Sequence, residues 1–387
     1  MILSSRNLYA AFLCLLFLPN AAIGAQSNVR SVKSLPVIRL LHVFGPKLSS
    51  ATMNTPIAVI TPDGKLLIAE INHELAIWNL GSYKKVKTLA FKGELSDLSV
   101  SSSRQYLAVI EAFPEDPHTP TRWTTIKDLH EPPGQTLVIW NLRNYKIVRR
   151  INFSQELRAG AIQFSPRGQI LAISVARKTT GNPQYDIHLM DVRRWKMIRY
   201  LSSDDEEPPL SIAWSSDCKL IAETAYYSDA GIGTLTVWHT NNPWSFYYSD
   251  GSNYEFENVG AGPLAFVGSS HRLICGQDWL DLDSRKQTIS HVVKHSDGMN
   301  PRCVILYGKE NKLMLLDRWL KATNAFYDPF TVWDVQAQRV QFQFLSPYRH
   351  GNVIAVSPDA SMLVTNNYSV NGGTSDGRLR LYALPAR

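Results

Sequence analysis

Cysteine is scarce in this chain, with four in 387 residues, and no stretch beyond the first 25 residues approaches the ~20 apolar residues a membrane-spanning helix needs. No tract of low complexity is present, and with 44% hydrophobic and 19% charged residues the composition is that of a folded globular protein rather than a disordered one. Linear catalytic signatures are missing too. There is no G-x-S-x-G, no H-E-x-x-H, no phosphate-cradling G-x-x-x-x-G-K and no haem-attaching C-x-x-C-H. These absences exclude a disulfide scaffold and the common motif-bearing enzymes, but not a site assembled from single residues far apart in sequence.

Residues 1–25 have the three-part layout of a secretory signal: Arg6, the apolar stretch "LYAAFLCLLFL", then Pro19 and small residues ending "AAIGA", with cleavage expected near Ala25. Cys14 lies inside the apolar run without small residues before it, which argues against a lipid-anchor site. The reading is therefore an exported chain, periplasmic or extracellular, with no membrane span and with residues 26–387 as one domain. Export leaves Cys218, Cys275 and Cys303, an odd number, so at least one thiol is free or pairs with another chain. A Cys275–Cys303 bridge and two buried free thiols both fit that count.

A short polar hairpin recurs seven times, as "ITPDGKLLIA" (60–69), "VSSSRQYLAV" (100–109), "FSPRGQILAI" (164–173), "WSSDCKLIAE" (214–223), "VGSSHRLICG" (267–276), "LYGKENKLML" (306–315) and "VSPDASMLVT" (356–365). In each, an apolar strand enters a turn in which Pro presets φ and Gly or Asp tolerates unusual backbone angles, and a second apolar strand leaves it. A third strand follows every hairpin, centred on Trp78, Trp140, Met190, Trp238, Leu280, Trp333 and Tyr382, 42 to 62 residues apart. A fourth follows a short turn, as in "KKVKTL", "KIVRRI" and "KMIRYL". Four antiparallel strands repeated at this period predict an all-β fold, a seven-bladed β-propeller of four-stranded antiparallel blades, because one such sheet cannot bury both its faces until neighbours stack on it. The seventh unit has only three strands, so residues 35–44, "LPVIRLLHVF", are expected to supply its fourth and close the ring.

The Trp-centred third strands and the S-P-D-G hairpins resemble the WD40 repeat family over residues 35–387. The motif match is loose: only Trp333-Asp334 gives the name-giving dipeptide, while Trp78-Asn79, Trp140-Asn141 and Trp238-His239 depart from it, and the Gly-His pair is absent. What the resemblance implies is a non-catalytic scaffold that binds a protein partner. Exported propellers of the TolB and lactonase types share the same hairpin.

With strands a to d in each blade, parity puts the a–b and c–d turns at one end and the b–c loops and blade-to-blade crossovers at the other. The a–b and c–d turns read as short and uniform, whereas the b–c loops vary, up to "EAFPEDPHTPTRWTTIKDLHEPPGQ" in blade 2. Loops longer than about 12 residues in a compact domain tend to be functional or disordered. Aromatic and imidazole side chains gather on this end. His118, Trp123, His130, Tyr185, Tyr226, Tyr227, Trp319, Tyr327, Tyr348, His350 and Tyr368 are the candidate binding residues, since aromatics anchor interfaces at small entropic cost. The plainer reading is that some of them only pack each loop onto its blade.

Charge is sorted as well. The segments 81–89, 143–151, 193–201, 241–249, 283–291, 336–344 and 36–44, taken as the c–d turns and outer strands, hold fifteen basic residues and one acidic, a net +14 against +7 for the chain, so the rest carries −7. Lys and Arg on edge strands block edge-to-edge aggregation. They could also rest on an anionic lipid or glycan surface. No nucleic-acid module is present, and no nucleic-acid partner is expected. The enzymatic alternative is a lactonase-like hydrolase with a metal in the central channel near Glu70, Asp317 and Asn366, although ordinary strand-end polar residues account for those three. His291 and His295 have the spacing of a helical metal pair but fall where an outer strand runs into a crossover. No cofactor and no metal site are assigned. "NFS" at Asn152 and "NYS" at Asn367 fit the N-glycan acceptor pattern.

Overall fold

A computed structural model of the chain describes residues 38–45, 57–71, 74–112, 134–154, 157–177, 184–203, 209–227, 232–241, 255–256, 264–268, 271–275, 278–282, 303–307, 313–317, 329–334, 339–345, 353–359, 361–365 and 378–384. Among these residues the regular structure is all β. Strand β1 (Arg39–Phe44) is followed by a first sheet of β2 (Ala58–Ile60), β3 (Leu66–Ile71), β4 (Glu74–Asn79) and β5 (Lys85–Leu89). Sheet 2 is β6 (Glu94–Val100), β7 (Tyr106–Ala112), β8 (Gln135–Asn141) and β9 (Lys146–Asn152). Sheet 3 is β10 (Leu157–Phe164), β11 (Ile170–Arg177), β12 (Gln184–Asp191) and β13 (Lys196–Ser203). Sheet 4 is β14 (Pro209–Trp214), β15 (Leu220–Tyr227), β16 (Ile232–His239) and β17 (Glu255–Phe256). Three strands make sheet 5, β18 (Leu264–Val267), β19 (Arg272–Cys275) and β20 (Asp278–Asp281). Sheet 6 is β21 (Cys303–Tyr307), β22 (Leu313–Asp317), β23 (Pro329–Asp334) and β24 (Arg339–Leu345), and sheet 7 is β25 (Val353–Val356), β26 (Met362–Thr365), β27 (Leu379–Ala383) and then β1.

Every strand pairing among the described residues is antiparallel, and all but one join strands that are neighbours in sequence; in that one β1 runs antiparallel along β27, with Phe44 opposite Leu379. The strand order is that of propeller blades. Each sheet's first strand lies beside the next sheet's first strand, from β2 to β6, β10, β14, β18, β21 and β25, and β25 lies beside β2.

The core lies between sheets. Leu107, Val109, Val138 and Trp140 of sheet 2 pack on Ile68, Leu75 and Ile77 of sheet 1, while the alternate residues Ala108, Ile110, Leu137 and Ile139 pack on Leu171, Ile173 and Met190 of sheet 3. This follows from the period of two: a strand buried on both faces is apolar throughout, and its odd and even residues serve different neighbours. In the five sheets whose central third-strand side chain is described, that residue faces the preceding sheet. Trp78 joins the core with sheet 7, Trp140 with sheet 1, Met190 with sheet 2, Trp238 with sheet 3 and Tyr382 with sheet 6. A buried indole removes on the order of 200 Å² from water, about 5 kcal/mol at the usual coefficient as an upper bound.

The hairpin turns repeat down to single atoms. Thr61, Ser101, Ser165, Ser215 and Ser357 are all buried, and each hydroxyl accepts the N–H of the residue opening the second strand, at 2.8 to 3.1 Å. Gly64, Arg104, Gly168 and Cys218 occupy the same left-handed position, with φ between 57° and 71°. Gly suits it best, and Arg104 and Cys218 hold it under strain. The third-to-fourth-strand turns place Tyr83, Tyr145 and Trp195 in the left-handed region too. Asn79, Asn141 and Asp191 cap these turns by accepting backbone N–H groups at 2.8 to 3.0 Å. Asn thus does here what the Asp of a Trp-Asp pair could do, so the departures at Asn79 and Asn141 leave the turn intact.

In sheet 4 the fourth described strand is Glu255–Phe256, with Phe256 opposite Gly233 and Glu255 opposite Thr234. Residues 242–249, where the sequence places an outer strand, lie outside the described residues.

Candidate functional site

The ends of the sheets are fixed relative to one another by turn-to-turn contacts. Arg104 in the hairpin turn of sheet 2 forms an ion pair with Asp63 in that of sheet 1, and a Cβ on Gly168 of sheet 3 would stand 2.9 Å from Ser102 Oγ of sheet 2. Likewise His271 Nε2 of sheet 5 stands 3.6 Å from Asp217 Oδ2 of sheet 4. Hairpin turns of sheets 1, 2 and 3 therefore share one end, as do those of 4 and 5. Their second-to-third-strand connections leave from the opposite end.

Inner strands are locked in the same direction by side chains reaching across. Asp97 Oδ2 accepts the Ile162 N–H at 2.7 Å, Ser99 Oγ accepts that of Phe164 at 3.1 Å and Gln135 Oε1 accepts that of Ala159. Between sheets 4 and 5, Ser211 Oγ accepts the Leu264 N–H at 3.3 Å. Each acceptor satisfies an N–H that a sheet-edge strand would otherwise leave unpaired.

At the root of the long connection in sheet 2 sits a buried carboxylate. Glu111, the penultimate residue of β7, has no exposed side-chain surface; Arg150 Nη1 of β9 donates to its Oε2 at 3.1 Å, while Oε1 has no hydrogen-bond partner. Burial pushes the Glu111 carboxyl up, and the charge and hydrogen bond of Arg150, with the Lys92 backbone N–H, only partly offset it. Beside it Thr136 donates to Asn152 Oδ1 at 3.0 Å, so one glycan-acceptor asparagine is engaged within its own sheet.

Sheet 3 holds a second such root. Asp186 is buried, with Arg177 Nη2 donating to its Oδ2 at 3.0 Å, and Arg177 ends β11 where the next connection begins. Burial alone would raise the Asp186 carboxyl, yet the neighbouring His188 and Ser202 and the Arg177 guanidinium hold it below its ordinary value. His188 is buried beside it, its Nε2 3.9 Å from Asp186 Oδ2 and without a hydrogen-bond partner, and its ring meets Tyr200 edge-on at 4.6 Å. These groups fix loop roots and hold charge under burial. Among the described residues no three His, Cys, Asp or Glu side chains gather as metal ligands would.

Three of the candidate binding residues fall on described strands. Tyr226 and Tyr227 end β15, opposite Gly233 and Ile232, at the connection end of sheet 4. Tyr185 is corrected: it lies at the start of β12 but is only 1% exposed, so its side chain is buried and presents no surface to a partner. His118, Trp123, His130, Trp319, Tyr327, Tyr348, His350 and Tyr368 lie outside the described residues, as do Asn366, His291 and His295. Glu70 is partly buried in β3, and Asp317 ends β22 opposite Phe330. Cys218 is a free thiol, partly buried in its turn, while Cys275 and Cys303 lie on strands of different sheets. Sequence reasoning passed over Glu111, Asp186 and His188. The available signal was an acid or imidazole inside an otherwise apolar strand, "YLAVIEA" and "QYDIHLMD".

No protein-family profile matches the chain, and no curated protein matches it in sequence. Solved structures match its fold. A chain of the mitotic checkpoint complex, solved by crystallography, superposes with a TM-score of 0.60 at 15% sequence identity, over 97% of this chain and 99% of that one. At that identity the likeness is one of fold alone, and the strand order of the seven sheets reads as that of a β-propeller.

Proposed function

We propose that the chain is an exported, non-catalytic, seven-bladed propeller, closed by residues 35–44, that docks a protein partner on the end bearing its second-to-third-strand connections. The observation that carries this reading is where length varies: the hairpin turns are tight and repetitive, while at the opposite end the chain runs from Ala112 to Gln135 between two strands that are themselves neighbours. A rigid scaffold with variable loops at one end is how binding surfaces are commonly built. Closure is supported by the β1–β27 pairing and by the contact of β25 with β2. Export rests on the layout of residues 1–25, and a protein partner also accords with the multi-protein complex to which the chain of like fold belongs.

The test is deletion of residues 114–133 with a short Gly-Ser bridge, followed by affinity capture from the native exported fraction. The deleted chain should keep its β-sheet circular dichroism and thermal transition and lose the partners that the full chain retains. An unchanged capture profile from a folded deletion would refute the docking end. A stoichiometric divalent metal in the purified protein would favour the hydrolase alternative instead.

A further inference from the structure

We propose that the outer strands β5, β9 and β13 together form an edge that docks onto an anionic phospholipid bilayer. Each is the last strand of its sheet, and the three sheets are consecutive. Among the described residues, the large apolar side chains that stand exposed are Val86, Ile147, Val148, Ile198 and Tyr200, and all five lie on these strands. Eleven of the fifteen basic residues of the outer segments fall in 81–89, 143–151 and 193–201, which hold no acidic residue. Some of that charge is already used: Lys85 meets Glu74 at 3.2 Å, Arg150 holds Glu111, and Arg199 donates to the Thr240 carbonyl of sheet 4. Lys87, Lys146, Arg149 and Lys196 make no ion pair among the described residues.

The registers aim these side chains. Arg149 stands opposite Ile139, which packs toward sheet 3, and Tyr200 stands opposite His188 on the β12 face whose Met190 packs toward sheet 2. Arg149 and Tyr200 therefore border the same cleft from its two sides. Protection of an edge against aggregation explains the lysines and arginines but not the isoleucines and tyrosine exposed between them. A soluble polyanion would use the charges and leave the apolar groups in water. An added peptide strand would engage one edge, not three. An anionic bilayer meets both needs, since phosphates pair with the cations, the apolar groups enter the headgroup–acyl boundary, and long basic side chains reach back to the phosphates. This surface is separate from the loop end, so the two proposals stand or fall independently.

Sedimentation with vesicles of phosphatidylcholine alone, and of phosphatidylcholine with about a third phosphatidylglycerol, tests it. The full chain should bind the anionic vesicles only, and binding should fade as salt rises toward about 0.5 M. The triple variant Lys87→Gln, Arg149→Gln, Lys196→Gln should bind roughly a hundredfold more weakly, at about fivefold per charge. The pair Ile147→Ser, Ile198→Ser, with every charge kept, should bind roughly tenfold more weakly. All five side chains are on exposed strands, and unchanged circular dichroism checks that both variants fold. Absence of binding to anionic vesicles would overturn the proposal. So would binding that the serine pair leaves intact, and so would equal affinity for heparin that the serine pair does not reduce, which would assign the strands to soluble polyanions.

Discussion

Replacing Phe44 by alanine tests what β1 contributes. The ring is 1% exposed, ends β1 opposite Leu379, and stands 4.7 Å from the His42 ring and 5.4 Å from that of Trp78. Its core is shared by Ile60, Leu67 and Ile71 of sheet 1 with Leu379 and Leu381 of sheet 7, so the substitution opens a cavity where chain-terminal and chain-initial sheets meet. Losing the transfer free energy of the ring removes about 2–3 kcal/mol, and the unfilled space adds roughly 1–2, for a total of about 3–5 kcal/mol. The backbone leaves little room to collapse, because Gly45 follows directly with φ of 86° and a Cβ there would stand 2.7 Å from Ile71 Cγ2. Urea unfolding followed by tryptophan fluorescence should show the shift in midpoint. Hydrogen exchange should show faster opening of the amides of β27 while those of β11 and β12 in sheet 3 keep their protection. A stability change under about 1 kcal/mol, or β27 amides exchanging as before, would refute the docking of β1 as an energetic clasp.

Two further outcomes follow from the carboxylates. For Asp217, burial alone would raise the carboxyl, but the Ser215 hydroxyl, the Lys219 N–H and His271 outweigh it and hold the group at about 2 against an ordinary 3.8. A folded value below the unfolded one stabilises the fold above the unfolded value and is lost as pH falls toward about 2; Asp217→Asn should therefore flatten the acid limb of a urea-midpoint titration between about pH 4 and 2 by roughly 1 kcal/mol, after discounting for solvent screening. Glu111 runs in the opposite sense. Its folded value is raised, so its contribution is present below the unfolded value and lost as pH rises through the folded one. Arg150→Ala leaves that carboxylate buried without its cation and should destabilise by about 1–2 kcal/mol at neutral pH, the guanidinium being partly exposed, while the same change in a Glu111→Gln background should cost less than half as much. Equal costs in the two backgrounds, from a double-mutant cycle, would show that the pair is not coupled.

Strand order was legible because the physics behind it is local and repeated. Pro62 and Gly64 announce a turn, and alternate apolar residues such as Leu107 and Val109 announce a buried strand. The buried hydroxyl of Thr61, and its counterparts at 101, 165, 215 and 357, was visible as a letter but not as a role, since its partner is an N–H five residues on that only the folded turn brings near. Glu111 and Asp186 were not legible as sites. Their neutralising arginines, Arg150 and Arg177, come from other strands, 39 and 9 residues away, and a lone acid in an apolar run carries no mark of its partner. Tyr185 differs for a related reason: its place at a strand start beside a loop fits an exposed rim, while its burial belongs to the folded chain and is not reported by sequence spacing.

The acceptors that Asp97, Ser99 and Gln135 extend to Ile162, Phe164 and Ala159 have a consequence for how such a chain can be rearranged. A repeat lifted out by genetic shuffling would take with it the receptors meant for its successor and abandon the donors served by its predecessor. The interchangeable cassette is then not one sheet but the seam between two. Transplants that respect seams should tolerate foreign sequence, whereas those cut at sheet borders should leave backbone amides stranded on the innermost edge.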